Sequence, residues 1–259
     1  MRLLTLILNT LFPPVCVSCK KEGDFLCIDC IRDFSKRKIR PYYTEYEDPD
    51  IHYLDGVIYG LDYARNPQIK VAVKQFKYRF TKELADVFAD LIAERMGELA
   101  MTKGRQMILI PVPLHKKRLN ERGFNQAEVI ASAVTDRLPQ VRVLPLLERV
   151  RYTSQQAKLD KKGRHENLEG AFIMNKKCVQ GLSRAWGPYL VNRGVRKKGE
   201  KENLIKEKAE KKKIPLYFLV DDVFTTGATL ENCARVLKEN GFQKVYGLVV
   251  ARALKNDKF

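Results

Sequence analysis

Two clusters in this sequence combine residue types and spacings that can do chemistry. The first is Leu219-Val-Asp-Asp-Val-Phe-Thr-Thr-Gly-Ala-Thr229. It continues Leu216-Tyr-Phe-Leu-Val220, which reads as a central strand buried on both faces. Asp221 and Asp222 fall at the carboxyl end of that strand, where open α/β sheets bind ligands. Thr225, Thr226, Gly227, Ala228 and Thr229 then form a tight loop into a helix expected from about Leu230. Amides and hydroxyls at a helix N-terminus converge on an anion, and the helix dipole favours negative charge there. Gly227 permits close approach of backbone to a phosphate. A phosphate would repel two adjacent carboxylates, so they make sense as acceptors for the hydroxyls of a neighbouring sugar. An acidic turn and an N-capping Thr would account for a shorter piece. The whole string, strand before and helix after, specifies a pocket for a ribose phosphate.

The second cluster is Cys16-x2-Cys19-x7-Cys27-x2-Cys30. Each C-x2-C knuckle lets two thiolates reach one ion, and two knuckles complete a tetrahedron. Four sulfurs leave no open position, which makes the site structural rather than catalytic. A disulfide pair requires an oxidising compartment. An iron–sulfur cluster can also use four cysteines. The knuckle spacing favours Zn2+. A segment of about forty residues cannot bury enough core alone, and a metal is a known remedy. Cys178 and Cys233 lie elsewhere, and Cys233 falls on the apolar face of a helix as a core residue.

Both clusters need elements to position them. Residues 54–63 alternate as a strand, and Leu84, Val87, Phe88, Leu91 and Ile92 mark a helix. Met107–Val112 is a buried strand, and Asn125–Leu138 a helix with Ala127, Ile130, Ala131 and Val134 inward and Asn125 as N-cap. Val141–Leu147 reads as a strand interrupted by Pro145. Leu230, Cys233, Ala234 and Leu237 mark a helix closed by Gly241, and 244–251 is a final strand. Strands alternating with helices predict a parallel α/β sheet flanked by helices.

The chain of 259 residues accommodates one large domain and a small appendage. The boundary is read as 1–40 for an N-terminal helix and four-cysteine zinc ribbon, and 41–259 for the α/β domain. Leu3, Leu4, Ile7, Leu8 and Leu11 share one face, so 1–12 reads as a short amphipathic helix rather than a signal peptide. No apolar run is long enough for a membrane span, and a cytoplasmic location is expected. Formal charge is +17, which points to an anionic partner. Residues 176–213 hold 13 Lys/Arg against 4 Asp/Glu, so more than half of the excess sits in one basic insertion. Within it, 203–213 suits either a charged helix or disorder in isolation. A basic extension with Trp186 and Tyr189 nearby is also a nucleic-acid contact in prospect.

The Asp221–Thr229 string resembles the 5-phosphoribosyl-1-pyrophosphate (PRPP) motif of type I phosphoribosyltransferases. That resemblance implies that Asp221 and Asp222 hold the ribose hydroxyls, and that Thr225, Thr226, Gly227, Ala228 and Thr229 hold the 5-phosphate. It also implies Mg2+ bound with PRPP. Three further stretches resemble the ComF family of competence-related proteins. They are Pro111-Val-Pro-Leu-His-Lys-Lys-Arg-Leu-Asn-Glu-Arg-Gly-Phe-Asn-Gln126, the run 151–172 with Gln156, Leu159, Arg164, Asn167 and Gly170-Ala-Phe, and the run 69–85 with Lys74, Lys77 and Tyr78. The cysteine cluster ahead of the α/β domain matches the layout of that family. The insertion at 176–213 departs from it.

In the wider family the Pro111-Val-Pro-Leu position is the pyrophosphate loop. Val112, Pro113, His115, Lys116, Lys117, Arg118 and Arg122 would then lie near a polyphosphate or a nucleic-acid backbone. A solvated basic loop is the competing reading. Arg164 and Asn167 could equally pin a loop. Lys74 and Lys77 are read as preceding a helix, where facing water is enough to account for them. The resemblance implies a PRPP-binding protein that handles single-stranded DNA during uptake, with other DNA-uptake proteins as partners. An active phosphoribosyltransferase in nucleotide metabolism or salvage is the alternative, and no segment for recognising an acceptor base is identifiable.

Overall fold

The computed structural model describes residues 13–36, 43–44, 51–63, 66–78, 83–153, 168–178 and 215–253. The helix expected at 1–12, the insertion from 179 to 213, and Gln156, Leu159, Arg164 and Asn167 lie outside the described residues.

Chain order after the first cysteines is α1 (Ile28–Lys36), β1 (Tyr43–Thr44), β2 (Gly56–Asp62), α2 (Pro67–Tyr78) and α3 (Leu84–Glu98). Then come β3 (Met107–Pro111), α4 (Lys116–Arg122), α5 (Gln126–Thr135), β4 (Val141–Val143) and β5 (Leu147–Arg149). β6 (Phe172–Met174), β7 (Leu216–Phe224), α6 (Ala228–Glu239) and β8 (Val245–Arg252) complete it. Six strands form one sheet in the order β1-β2-β8-β7-β3-β4, and β5 pairs with β6 in a separate antiparallel hairpin. All pairings in the large sheet are parallel except β1 with β2. The expected α/β architecture, a parallel sheet flanked by helices, is present.

Alternation along the strands separates two cores. Ile58, Leu109, Phe218, Val220 and Leu248 pack with α2, α3 and α5 on one face. Val57, Ile108, Ile110, Leu219 and Val249 pack with α6, the β5–β6 hairpin and Ile51 and Leu54 on the other. Cys16, Val17, Leu26, Cys27 and Phe34 join the first core, so the cysteine module is docked on the α/β domain.

Three expectations change. Val141–Leu147 is not one strand: β4 and β5 belong to different sheets. Pro145 has no N–H to donate to a ladder, and the chain leaves the sheet there. The strand at Leu216–Val220 continues to Phe224, because β8 runs beside it and pairs Asp221 with Val249 and Phe224 with Arg252. β3 stops at Pro111 opposite Val220, so the two aspartates stand beyond the end of their neighbour on that side. Lys74 and Lys77 do not precede a helix; they lie within α2. Asn125 caps α5 as expected, its side chain accepting from the amide of Ala127. Among the described residues no helix is long and apolar enough to cross a membrane.

Candidate functional site

The Thr225–Thr229 loop turns through Gly227, which takes φ of 78° at the N-cap position of α6. A Cβ there would lie 2.6 Å from Ile51 Cδ1 and 2.8 Å from Phe224 Cζ, so conformation and space both require glycine. No side chain caps α6, which leaves the first-turn amides directed at the loop. The Thr226 hydroxyl is buried with no hydrogen-bond partner. Ala228 and Thr229, expected in the loop, form the first turn of the helix. Glu231 braces the turn from behind. Its carboxylate accepts from the amides of His52, Tyr53 and Leu54 at 2.5, 2.8 and 3.1 Å.

Asp221 lines the concavity of this loop together with Val223 to Leu230. The concavity is about 10 Å³, the scale of one water, and it is open to solvent on one side. A wider cleft, about 550 Å³, lies between α3 and α5. It is lined by Glu83, Asp86, Glu128 and Asp136, whose charge opposes a phosphorylated ligand.

Successive residues of a strand face opposite sides, and the two aspartates do so. Asp222, 6% exposed, turns to the α2 face and pairs with Lys77 Nζ at 2.9 Å. Its backbone N–H donates to Asp221 Oδ1 at 2.8 Å. Burial, then the charge of Asp222, holds the Tyr63 phenol well above its ordinary range. Asp221 turns to the α6 face. Desolvation by the surrounding protein, and secondly Asp222, push its carboxyl up to about 7. The same surroundings raise the Cys233 thiol, through burial first and Asp221 second.

The Pro111-Val-Pro-Leu loop reaches the same edge of the sheet. Val112 is buried, its N–H donating to the carbonyl of Val220 and its carbonyl accepting from Asn125 Nδ2. Pro113 is half-buried and Lys116 exposed at the start of α4. Arg122 donates to Gln126 Oε1 at 3.1 Å. Arg118 donates to the carbonyl of Thr153 at 3.1 Å, and Arg149 donates to the hydroxyl of the same residue at 2.5 Å. The Arg149 guanidinium is held below its ordinary value by desolvation first, then by the charge of Arg118. Lys77, Arg149, Tyr152, Thr153 and Glu231 were not assigned to a site from sequence. The run 69–85 did contain Lys77, and the run 151–172 contained Tyr152 and Thr153. Arg149 carried no signal, since a single basic residue in a three-residue strand is unremarked.

The four cysteine sulfurs lie within 4.8 Å of one another. Cys19 and Cys27 are 3.5 Å apart and Cys16 and Cys30 3.9 Å, and none is in a disulfide. A tetrahedral ion with metal–sulfur bonds of about 2.3 Å sets sulfurs about 3.8 Å apart. The cluster therefore fits a metal such as zinc. The first knuckle turns through Lys20 at φ of 66°, with its N–H donating to the carbonyl of Cys16, and the second runs into α1.

Three curated proteins are similar to this chain in sequence. Competence protein ComFC of Bacillus subtilis is 28% identical over 179 residues, 69% of this chain. Competence protein F of Haemophilus influenzae is 26% identical over 191 residues, 71% of this chain and 68% of its own length. DNA utilization protein YhgH of Salmonella typhimurium is 27% identical over 190 residues, 73% of this chain and 69% of its own. The chain is a distant homologue of ComFC, competence protein F and YhgH. It spans 57% of the length of ComFC. No protein-family model matches it.

Proposed function

We propose that the carboxyl edge of the sheet binds PRPP or a related ribose phosphate, and that the protein handles single-stranded DNA during DNA uptake. The observation that carries the first half is the uncapped N-terminus of α6 with the buried, unpartnered hydroxyl of Thr226 beside it. A phosphate supplies an acceptor for that hydroxyl at a helix N-terminus that no side chain caps. The 5-phosphate seats on Thr225–Thr229. The ribose hydroxyls donate to Asp221, which lines that loop, and to Asp222, which must first exchange its Lys77 partner. Mg2+ bound with PRPP would offset charge on its pyrophosphate. Arg118 and Arg122 face the pyrophosphate. Cys16, Cys19, Cys27 and Cys30 would hold zinc as a structural ion, beside Leu26 and Phe34 packed in the first core. For DNA, the support is the charge of +17 and the names of the relatives, which concern competence and DNA utilization.

Transfer of the phosphoribosyl group is the second reading. The Asp221 carboxyl, near 7, favours it, because a group poised near neutrality exchanges protons readily. Calorimetry with PRPP and Mg2+ tests the binding reading. Thr226→Val removes a buried unsatisfied hydroxyl, so stability should hold or rise, while PRPP affinity should fall by about tenfold. Equal PRPP affinity in variant and parent would sink the pocket assignment. Release of pyrophosphate with an acceptor would add turnover. Binding of single-stranded DNA should weaken steeply with salt, and affinity indifferent to salt would remove the DNA half.

A further inference from the structure

Next to the ribose-phosphate edge lies a patch in which cations gather around one exposed ring. Tyr152 is 42% exposed, on the segment leading out of β5. The His115 ring meets it edge-on, with centroids 5.3 Å apart. Lys117 Nζ lies 4.8 Å and the Arg118 guanidinium 5.9 Å from its centroid. Arg118 and Arg149 then converge on Thr153, one on its carbonyl and one on its hydroxyl. Arg149 Nε is buried without a hydrogen-bond partner, and no described carboxylate lies within ion-pair distance of its guanidinium. Like charges held together in a partly desolvated place call for an anion. A ring fixed by its neighbours yet left exposed adds something a pyrophosphate alone does not use, which is a face for a planar π-system.

We propose that Tyr152, with His115, Lys117, Arg118 and Arg149, docks one nucleotide of single-stranded DNA beside the ribose-phosphate pocket. The base stacks on Tyr152 and the adjoining phosphates lie along Lys117, Arg118 and Arg149. Stacking is tolerant of sequence because every base has a π-face, while cations track the backbone. The Pro111-Val-Pro-Leu loop, tied to Val220 by the Val112 N–H, runs on into His115 and α4 and so links this patch to the pentose edge. A strand held here therefore passes the mouth of the Thr225–Thr229 loop. This inference rests on the DNA half of the proposed function and adds a location to it.

The test uses the full chain and a fluorescein-labelled oligo(dT) at fixed salt, read by anisotropy. Tyr152→Ala should weaken binding by about tenfold or more, and Tyr152→Phe should stay within about twofold of the parent. The salt slope should be the same in both variants, because no phosphate contact is lost. Arg149→Gln should lower affinity and reduce the slope by about 0.7, the value for one phosphate on a single strand. PRPP binding by Tyr152→Ala, unchanged, shows that the domain is folded. Parent-like DNA affinity in Tyr152→Ala overturns the location while leaving the DNA reading intact, with 176–213 as the remaining basic segment. A parent protein that does not bind the oligonucleotide overturns both.

Discussion

The cysteine module and the carboxyl edge of the sheet differ in where their parts come from. Cys16 and Cys30, the outermost thiols, are 14 positions apart. The groups around Asp221 and Asp222 come from α2, α4, β5 and α6, with Lys77 and Thr226 on opposite halves of the chain. The module has few apolar groups in the core, chiefly Val17, Leu26 and Phe34 beside two of its own cysteines. With so little else to close it, an ion on the four sulfurs would supply the missing stability. The edge depends on two packed cores that bring distant segments to one place. One site is thus written into a spacing, and the other adds to one contiguous strand, loop and helix turn the groups that only the complete sheet brings to it.

Breaking the module should have the largest effect. Cys27→Ser, or a strong chelator, should release one metal per chain, measured by elemental analysis. Structural zinc contributes on the order of 10 kcal/mol of binding free energy. Amide exchange in 13–36 should become fast, and the thermal midpoint should fall because Phe34 and Leu26 share a core with Phe76 and Phe88. Protection at 228–239 should persist below the midpoint. Simultaneous loss there would mean that the two regions are a single cooperative unit and would break the comparison.

Lys77→Met tests the long-range edge and should cost less, about 3 kcal/mol in urea denaturation, because it strands the buried Asp222 carboxylate. Adding Asp222→Asn should recover most of the loss. A cost below about 1 kcal/mol for Lys77→Met would show that Asp222 is compensated from elsewhere.

The smallest effect concerns pH. The folded Asp221 carboxyl sits near 7, above its ordinary value of 3.8. Between those values the folded state holds a proton that the unfolded chain has released, so stability falls as pH rises through the window. The full shift corresponds to about 4 kcal/mol, and because the surface of Asp221 is only half-buried, solvent screening should reduce the change to about 2 kcal/mol. Asp221→Asn should flatten the profile from about pH 4 to 7. A parent profile that is already flat would place the carboxyl back in its ordinary range.

Much of the candidate site was legible because its motifs are contiguous. Asp221 to Thr229 occupy one strand, loop and helix turn, and local geometry dictates their proximity. The length of β7 was not legible. Asp221 and Asp222 look like the end of a strand, yet β8 carries the ladder past them to Phe224. That extra length turns two adjacent acids to opposite faces and gives each a different neighbour.

Chain order and residue type were sufficient for the parallel α/β class, the paired C-x2-C knuckles and the glycine at 227, because each follows from periodicity or from a contact within a few residues. Lys77 against Asp222, Arg118 and Arg149 on Thr153, and Tyr152 among His115, Lys117 and Arg118 were decided by tertiary structure alone. Their partners meet across the sheet or across a hairpin. A side chain read in one dimension carries its charge but not the address of the group it will face.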